Sequence, residues 1–209
     1  MKVTDKIEIT NEDNMALMSR YEDNYFDLAI VDPPYADGNE LFSLQVNLKN
    51  KKRIHNIKDW NNNKPTKKYF TELFRVSRNQ IIWGANYFEN LPTSRGWIFW
   101  DKRYEGMHSF SDGELAFTSF DKLLKKFTYR GDVKKTFHPT QKPYQLYEWL
   151  LMNYAKENDK ILDTHLGSGS IALACHNLGF ELTACELDKE YYDASIKRIK
   201  NHISQKRLF

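Results

Sequence analysis

Residues 160–174 read KILDTHLGSGSIALA, and this stretch decides the fold. KILD is a short apolar run ending in an acid, THLGSGS a glycine-rich turn, and SIALA the start of an apolar helix. Strand, tight turn and helix in that order are the beginning of a βαβ unit. Gly167 and Gly169 let the turn close tightly and let backbone approach a ligand. The N–H groups at the helix start suit a polar or anionic group. The next strand, ELTACE (181–186), ends in Glu186, nineteen residues after Gly167, where an acid can accept hydrogen bonds from ribose hydroxyls. With Ala172 the glycines fit G-x-G-x-x-A, a dinucleotide fingerprint that an ordinary glycine turn also satisfies. Asp163, closing the first strand, suits a ligand with positive charge better than a pyrophosphate.

Outward from this unit the same alternation continues. Strand-like runs stand at KIEI (6–9), DLAIV (27–31), QIIW (80–83), WIFW (97–100), ELAFTSF (114–120), KILD (160–163) and ELTACE. Several are continuously apolar, as strands buried on both faces of a parallel sheet are. Helical patterns lie between them: NMALMSRY, KKYFTELFRV, PYQLYEWLLMNYA, SIALACHNLGF and YYDASIKRIKNHI. The third puts Leu146, Tyr147, Leu150, Leu151 and Tyr154 on one stripe, with Pro143 at the first helical position. Gly179 caps the fourth. The expected fold is α/β, a doubly wound and largely parallel seven-stranded sheet. WIFW and ELAFTSF have only a loop between them and are expected to form an antiparallel hairpin at one edge.

At 209 residues with 41% hydrophobic content, the chain suits one globular domain, 1–209. Two cysteines in apolar stretches, Cys175 and Cys185, without C-x-x-C spacing, point away from zinc and disulfide scaffolds and toward a reducing, cytoplasmic setting. No apolar signal core opens the sequence, and no run of about 18 apolar residues spans a membrane. The net charge of +3 is uneven. Residues 47–68 hold eight Lys or Arg against one Asp, leaving the rest of the chain slightly acidic. A concentrated basic segment is a footprint for phosphate backbones, although a solvated loop has the same composition.

The second informative stretch is VDPPYADG (31–38), directly after an apolar run. Two prolines end a strand, and the carboxyl end of a parallel strand faces the ligand crevice. Asp32 offers a carboxylate there. Pro33 has no N–H, so the backbone presents carbonyls rather than donors, and Pro34 stiffens the exit. Two acceptors match an NH₂ group, and Tyr35 adds a flat face for stacking. The pattern reads as a clamp for the exocyclic amine of an aromatic base; the plainer reading is a Pro-Pro turn with a capping Asp.

Three motifs together carry a family resemblance. D-P-P-Y (32–35), HPTQKP (138–143) and LDTHLGSGS (162–170) resemble, over essentially the whole chain, the catalytic motif, the tenth motif and the cofactor motif of β-class amino-methylating DNA methyltransferases. Catalytic motif first and cofactor motif last is the permuted order of that class. The resemblance implies the S-adenosylmethionine-dependent methyltransferase fold and S-adenosyl-L-methionine as cofactor. It implies that Asp32, Pro33, Pro34 and Tyr35 hold and stack a flipped base. Asp163, His165, Gly167, Ser168 and Gly169 match the loop around the methionine part, Glu186 the ribose ligand, and Asp13 an acid near the adenine. His138, Thr140, Gln141 and Lys142 match the segment closing over the amino acid end. The sequence departs from the pattern at His165, where phenylalanine is usual, and at Ser170, where threonine is usual.

The function implied is site-specific N6-methylation of adenine in double-stranded DNA by direct transfer to a base taken out of the stack. Asp at the first motif position leans toward adenine, yet N4 of cytosine or an RNA base amine presents the same two hydrogens. C5-cytosine methylation needs a cysteine nucleophile, and neither cysteine lies near D-P-P-Y. A nicotinamide oxidoreductase would explain the glycines but neither of the other motifs; a nucleic-acid binding module would leave intact motifs idle. The basic insertion at about 36–66 is the expected DNA contact, with Lys51, Lys52 and Arg53 on phosphates and Asn61, Asn62 and Asn63 on base edges. A homodimer, and a cognate restriction enzyme, are compatible partners. No metal site and no membrane contact are expected.

Overall fold

The computed structural model describes residues 1–34, 64–103, 111–130 and 141–205. In chain order the elements are β1 (Ile7–Thr10), α1 (Asn14–Met18), β2 (Phe26–Val31), α2 (Lys67–Val76), β3 (Ser77–Trp83), β4 (Trp97–Asp101) and β5 (Gly113–Thr118). They continue with β6 (Lys125–Thr128), α3 (Tyr144–Tyr154), β7 (Lys160–Asp163), α4 (Ser170–Leu178), β8 (Glu181–Cys185) and α5 (Lys189–Ser204). One sheet runs β1-β8-β7-β2-β3-β5-β4-β6. β1, β8, β7, β2 and β3 are mutually parallel, and β5 is antiparallel to both β3 and β4.

Side-chain alternation along these strands builds two apolar layers. Leu28, Ile30, Ile161, Ile81 and Trp83 pack with the buried stripes of α3, α4 and α5. Ala29, Val31, Leu162 and Ile82 pack with α1 and α2 on the other face. Each fully buried large aliphatic side chain contributes about 1.5–3 kcal/mol, so both faces fix the strand register. Helix α2 shows why its sequence is helical. Thr66 caps its start, and Tyr69, Phe70, Leu73 and Val76 form the buried stripe.

Three expectations need correction. Eight strands rather than seven lie among the described residues, the additional one being β6, whose sequence KKFT is half lysine. β6 pairs in parallel with β4, so the β4–β5 hairpin is one strand in from the edge. An edge strand needs little apolar surface and gains from lysines that discourage pairing with other chains. Pro143 precedes α3 as its extended N-cap instead of standing inside the helix. Gly179 does end α4, at φ 78° in the left-handed region. Among the described residues no helix is long and apolar enough to cross a membrane.

The topology places the site. From β7 the chain crosses through α4 to β8 on one side; from β2 it crosses through α2 to β3 on the other. Strand order therefore reverses between β7 and β2, and ligands of open parallel sheets bind beyond the strand carboxyl ends at such a point.

Candidate active site

Asp32 directly follows β2 and Asp163 ends β7, so the two carboxyl groups flank the reversal point. Lys142 Nζ donates to Asp32 Oδ2 at 2.5 Å and contacts Glu114 Oε2 at 2.8 Å. Glu114 Oε1 in turn pairs with Lys102 Nζ at 2.5 Å. Both ammonium groups lie over indole rings, Lys142 5.3 Å from the centroid of Trp83 and Lys102 5.1 Å from that of Trp100. Burial works against the charge on Lys142, but Asp32 and Glu114 outweigh it and hold its pKa above the usual lysine range. Burial pushes the Asp32 carboxyl upward against the pull of Lys142. Asp32 Oδ1 is buried and without a partner among the described residues. Leaving a buried acceptor unmet costs about 1–3 kcal/mol, which suits an oxygen reserved for an incoming donor. Pro33 is buried behind it and Pro34 half-buried.

The glycine loop stands beside this cluster. Gly167 (φ 52°) and Gly169 (φ 74°) both use the left-handed region. A Cβ on Gly169 would also meet Ile199 Cδ1 at 3.0 Å. Glu186 latches the loop, its Oε2 accepting from Gly167 N–H at 2.8 Å and its Oε1 from Asp188 N–H at 2.9 Å. Arg198 supports the loop from α5, donating to Ser168 O at 2.8 Å and Ser170 Oγ at 3.0 Å. Ser170 Oγ donates to Lys142 O at 2.7 Å, which ties the loop to the lysine that holds Asp32. Ser168 is buried beside it.

Asp163 is buried, with Oδ1 accepting from His165 N–H at 2.9 Å. Burial pushes its carboxyl up to about 8, and the charges of Asp32 and Glu186 push the same way. Burial also raises the Glu186 carboxyl, against the N–H bonds it accepts. Asp163 therefore stays protonated at neutral pH until a cation arrives to favour its charge. His165 is fixed from both sides. Asn14 Nδ2 donates to its Nε2 at 3.0 Å, so Nδ1 bears the proton that Thr164 Oγ1 accepts at 2.9 Å, and that oxygen meets Tyr69 Oη at 2.7 Å. Burial lowers the ring to about 4, so it is a neutral imidazole. A phenylalanine would fill this space but leave Asn14 and Thr164 without these bonds. Asp13 caps α1, accepting from Met15 and Ala16 N–H at 2.9 and 3.1 Å.

The structure thus brings Asp13, Asp32, Pro33, Pro34, Gln141, Lys142, Asp163, His165, Gly167, Ser168, Gly169 and Glu186 to the reversal-point edge of one sheet. Gln141 Oε1 is another buried, unpartnered acceptor among the described residues. Tyr35, Lys51, Lys52, Arg53, Asn61, Asn62, Asn63, His138 and Thr140 lie outside the described residues. Lys142, expected at the amino acid end of the cofactor, has its amine on Asp32. Sequence reading missed Glu114, Lys102 and Arg198. The available signal was Glu114 itself, an acid in phase with the buried Ala116 and Thr118 on β5. Cys175 and Cys185 are free and buried, and burial raises both thiols, so neither is poised as a nucleophile.

The arrangement offers an acidic cluster beyond the strand ends that suits a cation, a close-approach glycine loop, and an unpartnered carboxylate oxygen that suits an amine donor. Comparisons with known proteins agree with that chemistry. Residues 82–197 match a family of N6/N4 methyltransferases described as DNA methylase. The chain is 30% identical over 148 residues to the type II methyltransferase M2.LlaDCHI of Lactococcus lactis subsp. cremoris, covering 71% of this chain and 51% of that one. It is 25% identical over 241 residues to the type II methyltransferase M.HpaI of Haemophilus parainfluenzae, covering 90% and 72%. It therefore spans only about half the length of the first relative. Among solved structures, that of the M1.HpyAVI–SAM complex superposes with TM-score 0.63 at 23% identity, covering 92% of this chain and 99% of that one. The cytosine-N4-specific PvuII DNA methyltransferase superposes with TM-score 0.59 at 14% identity, covering 96% and 93%.

Proposed function

Because the chain belongs to the DNA methylase family, we propose that it transfers a methyl group from S-adenosyl-L-methionine to N6 of an adenine flipped out of duplex DNA. The observation that supports this most is the state of Asp32. One oxygen is clamped by Lys142, while the other is buried and unpartnered at the mouth of β2. A base amine has two hydrogens to give, and Oδ1 with the Pro33 carbonyl can accept both. Drawing both hydrogens out of the ring plane favours a pyramidal nitrogen with a freed lone pair. That pair forms the bond to the methyl carbon as the carbon–sulfur bond breaks and its electrons leave with a neutral thioether, and the cationic nitrogen then sheds one proton, for which Asp32 is the near base. Alignment of the reacting atoms supplies much of the rate.

The cofactor's contribution is an electrophilic methyl on a positively charged sulfur. The site fits that charge: the buried Asp163 carboxyl, with Glu186 near it, gains by ionising beside a cation, whereas a pyrophosphate would oppose that ionisation. This disfavours the nicotinamide reading of G-x-G-x-x-A. Glu186 is assigned to the ribose with its remaining lone pairs. Glu186→Ala is expected to weaken cofactor binding roughly ten- to a hundredfold, because it removes charge-assisted bonds of about 1.5–3 kcal/mol and frees the Gly167 latch. Calorimetry decides it; an unchanged dissociation constant would place the ribose elsewhere.

DNA docking is assigned to the basic segment. Neutralising Lys51, Lys52 and Arg53 together is expected to weaken binding to all sequences and leave cofactor affinity in place. The slope of log affinity against log salt should flatten by about 3, at roughly 0.9 per phosphate contact. A wild-type slope would reduce the segment to a tether. The function as a whole is tested by labelled methyl transfer with duplex DNA and structured RNA as competing acceptors. Label in DNA that depends on the protein is expected; label only in RNA, or none, would overturn the reading.

A further inference from the structure

We infer that Glu114 is a positioning residue for Asp32: it shares Lys142 with that carboxylate and so keeps Asp32 Oδ1 a strong acceptor for the base amine. The inference rests on the reading of the site given above and adds a residue that no motif marks.

Four charges alternate in a row, Asp32–Lys142–Glu114–Lys102, with contacts of 2.5, 2.8 and 2.5 Å. They come from four separate places: the end of β2, the segment before α3, β5, and the residue after β4. The row is shielded, with Lys142 only 2% exposed and the other three side chains 17–19% exposed. Trp83 and Trp100 form its floor, their rings 6.4 Å apart at 80°. Formally the four charges cancel, so the row can be buried at a cost that one unpaired ion would exceed.

The order of the row has a chemical consequence. A lone ammonium on Asp32 would draw electron density from the carboxylate and weaken Oδ1 as an acceptor. A second carboxylate on the same ammonium takes part of that interaction. Glu114 cannot easily turn away, because Lys102 holds its other oxygen. The charge balance agrees. Burial opposes ionisation of Glu114, yet Lys142 and Lys102 hold its carboxyl down at about 2, whereas Asp32 is raised. The negative charge is thus favoured on Glu114, and Asp32 keeps its basicity. Tyr147 of α3 and Asp163 of β7 also face this cluster. Burial keeps the Tyr147 phenol neutral and raises Asp163 to about 8, so neither opposes the two lysines near pH 6.

The test is a carbon-13 carboxyl titration of Asp32, its signal identified by loss in Asp32→Asn, in the wild type, Glu114→Gln and Lys102→Met. With Glu114→Gln, Lys142 acts on Asp32 alone, and the midpoint should fall by about one to three pH units. With Lys102→Met, Glu114 has one cation in place of two and draws more of Lys142, so Asp32 loses the direct pull of Lys102 and part of that of Lys142, and its midpoint should rise. The acid limb of kcat/KM should follow in each case, with kcat changing more than KM for the cofactor, and Glu114→Asp should restore part of the shift. An unmoved midpoint in Glu114→Gln, or shifts of one sign in both variants, would overturn the role of Glu114. Should Glu114→Gln not fold, Lys102→Met decides, an unmoved midpoint there being the contrary result. The titration needs no turnover. Failure to methylate DNA, which would overturn the reading of the site, is therefore told apart from failure of this inference.

Discussion

Replacing Asp32 by alanine is expected to reduce methyl transfer by at least about a thousandfold, the upper range for loss of one positioned acid–base or charge-stabilising group. The variant removes the acceptor for one amine hydrogen and the nearest base for the departing proton. It also strips Lys142 of one of its two carboxylates. Breaking a buried pair can cost about 3–5 kcal/mol, but Glu114 remains on the same ammonium, so a smaller loss of stability is expected. Asp32→Asn separates the two effects, keeping a polar group beside Lys142 while removing the charge. Cofactor binding should survive in both, because Asp163 and Glu186 stand on other strands. Single-turnover transfer and calorimetry on the same folded samples check this. Turnover near the wild-type rate in either variant would remove Asp32 from the reaction.

The second large effect concerns Asp163 and has opposite signs for stability and binding. The folded carboxyl is raised to about 8 by burial, against about 3.9 in an unfolded chain. An acid raised in this way stabilises the fold relative to its ionised form fully below the unfolded value, and that contribution is lost as pH rises through the folded value. Asp163→Asn is nearly isosteric, keeps an acceptor for His165 N–H, and does not titrate. It should melt like the wild type near pH 4 and be more stable by about 2–4 kcal/mol at pH 8. For a chain of this length that is roughly 5–15 °C in Tm. The same variant should bind S-adenosyl-L-methionine at least about tenfold more weakly, since the sulfonium loses an ionisable partner. Relative to the variant, wild-type affinity should climb with pH up to about 8, as the carboxyl gives up its proton on binding. Equal melting of the two proteins at pH 8 would contradict the raised carboxyl. Equal affinity would contradict its place beside the cation.

Local rules made much of this legible. The stripe of α3 and the left-handed glycine after α4 are dictated by local sequence, and both stand where the sequence places them. The central strands β2 and β7 carry continuous buried apolar runs and so announce themselves. What escaped depends on neighbours distant in the chain. β6 has two lysines in four residues and exists as a strand because β4 offers it an edge. Lys142 sits in a motif that suggests a cofactor contact, but its partner Asp32 is 110 residues away. Glu114 reads as a polar strand start; only the placement of β5 beside β3 brings it to Lys142. His165 departs from the family pattern for a reason visible only in three dimensions, the bonds to Asn14 and Thr164.

The central claim is that Asp32 presents its free oxygen to the exocyclic amine of adenine. Its most direct test is to incubate the protein with unmethylated duplex DNA and methyl-labelled S-adenosyl-L-methionine, digest the DNA to nucleosides, and identify the labelled product by mass and fragmentation. Labelled N6-methyldeoxyadenosine, absent when Asp32→Ala replaces the wild type, is the expected result. Label in N4-methyldeoxycytidine would contradict the choice of base, and label on a ring carbon, or undiminished label with Asp32→Ala, would contradict the mechanism.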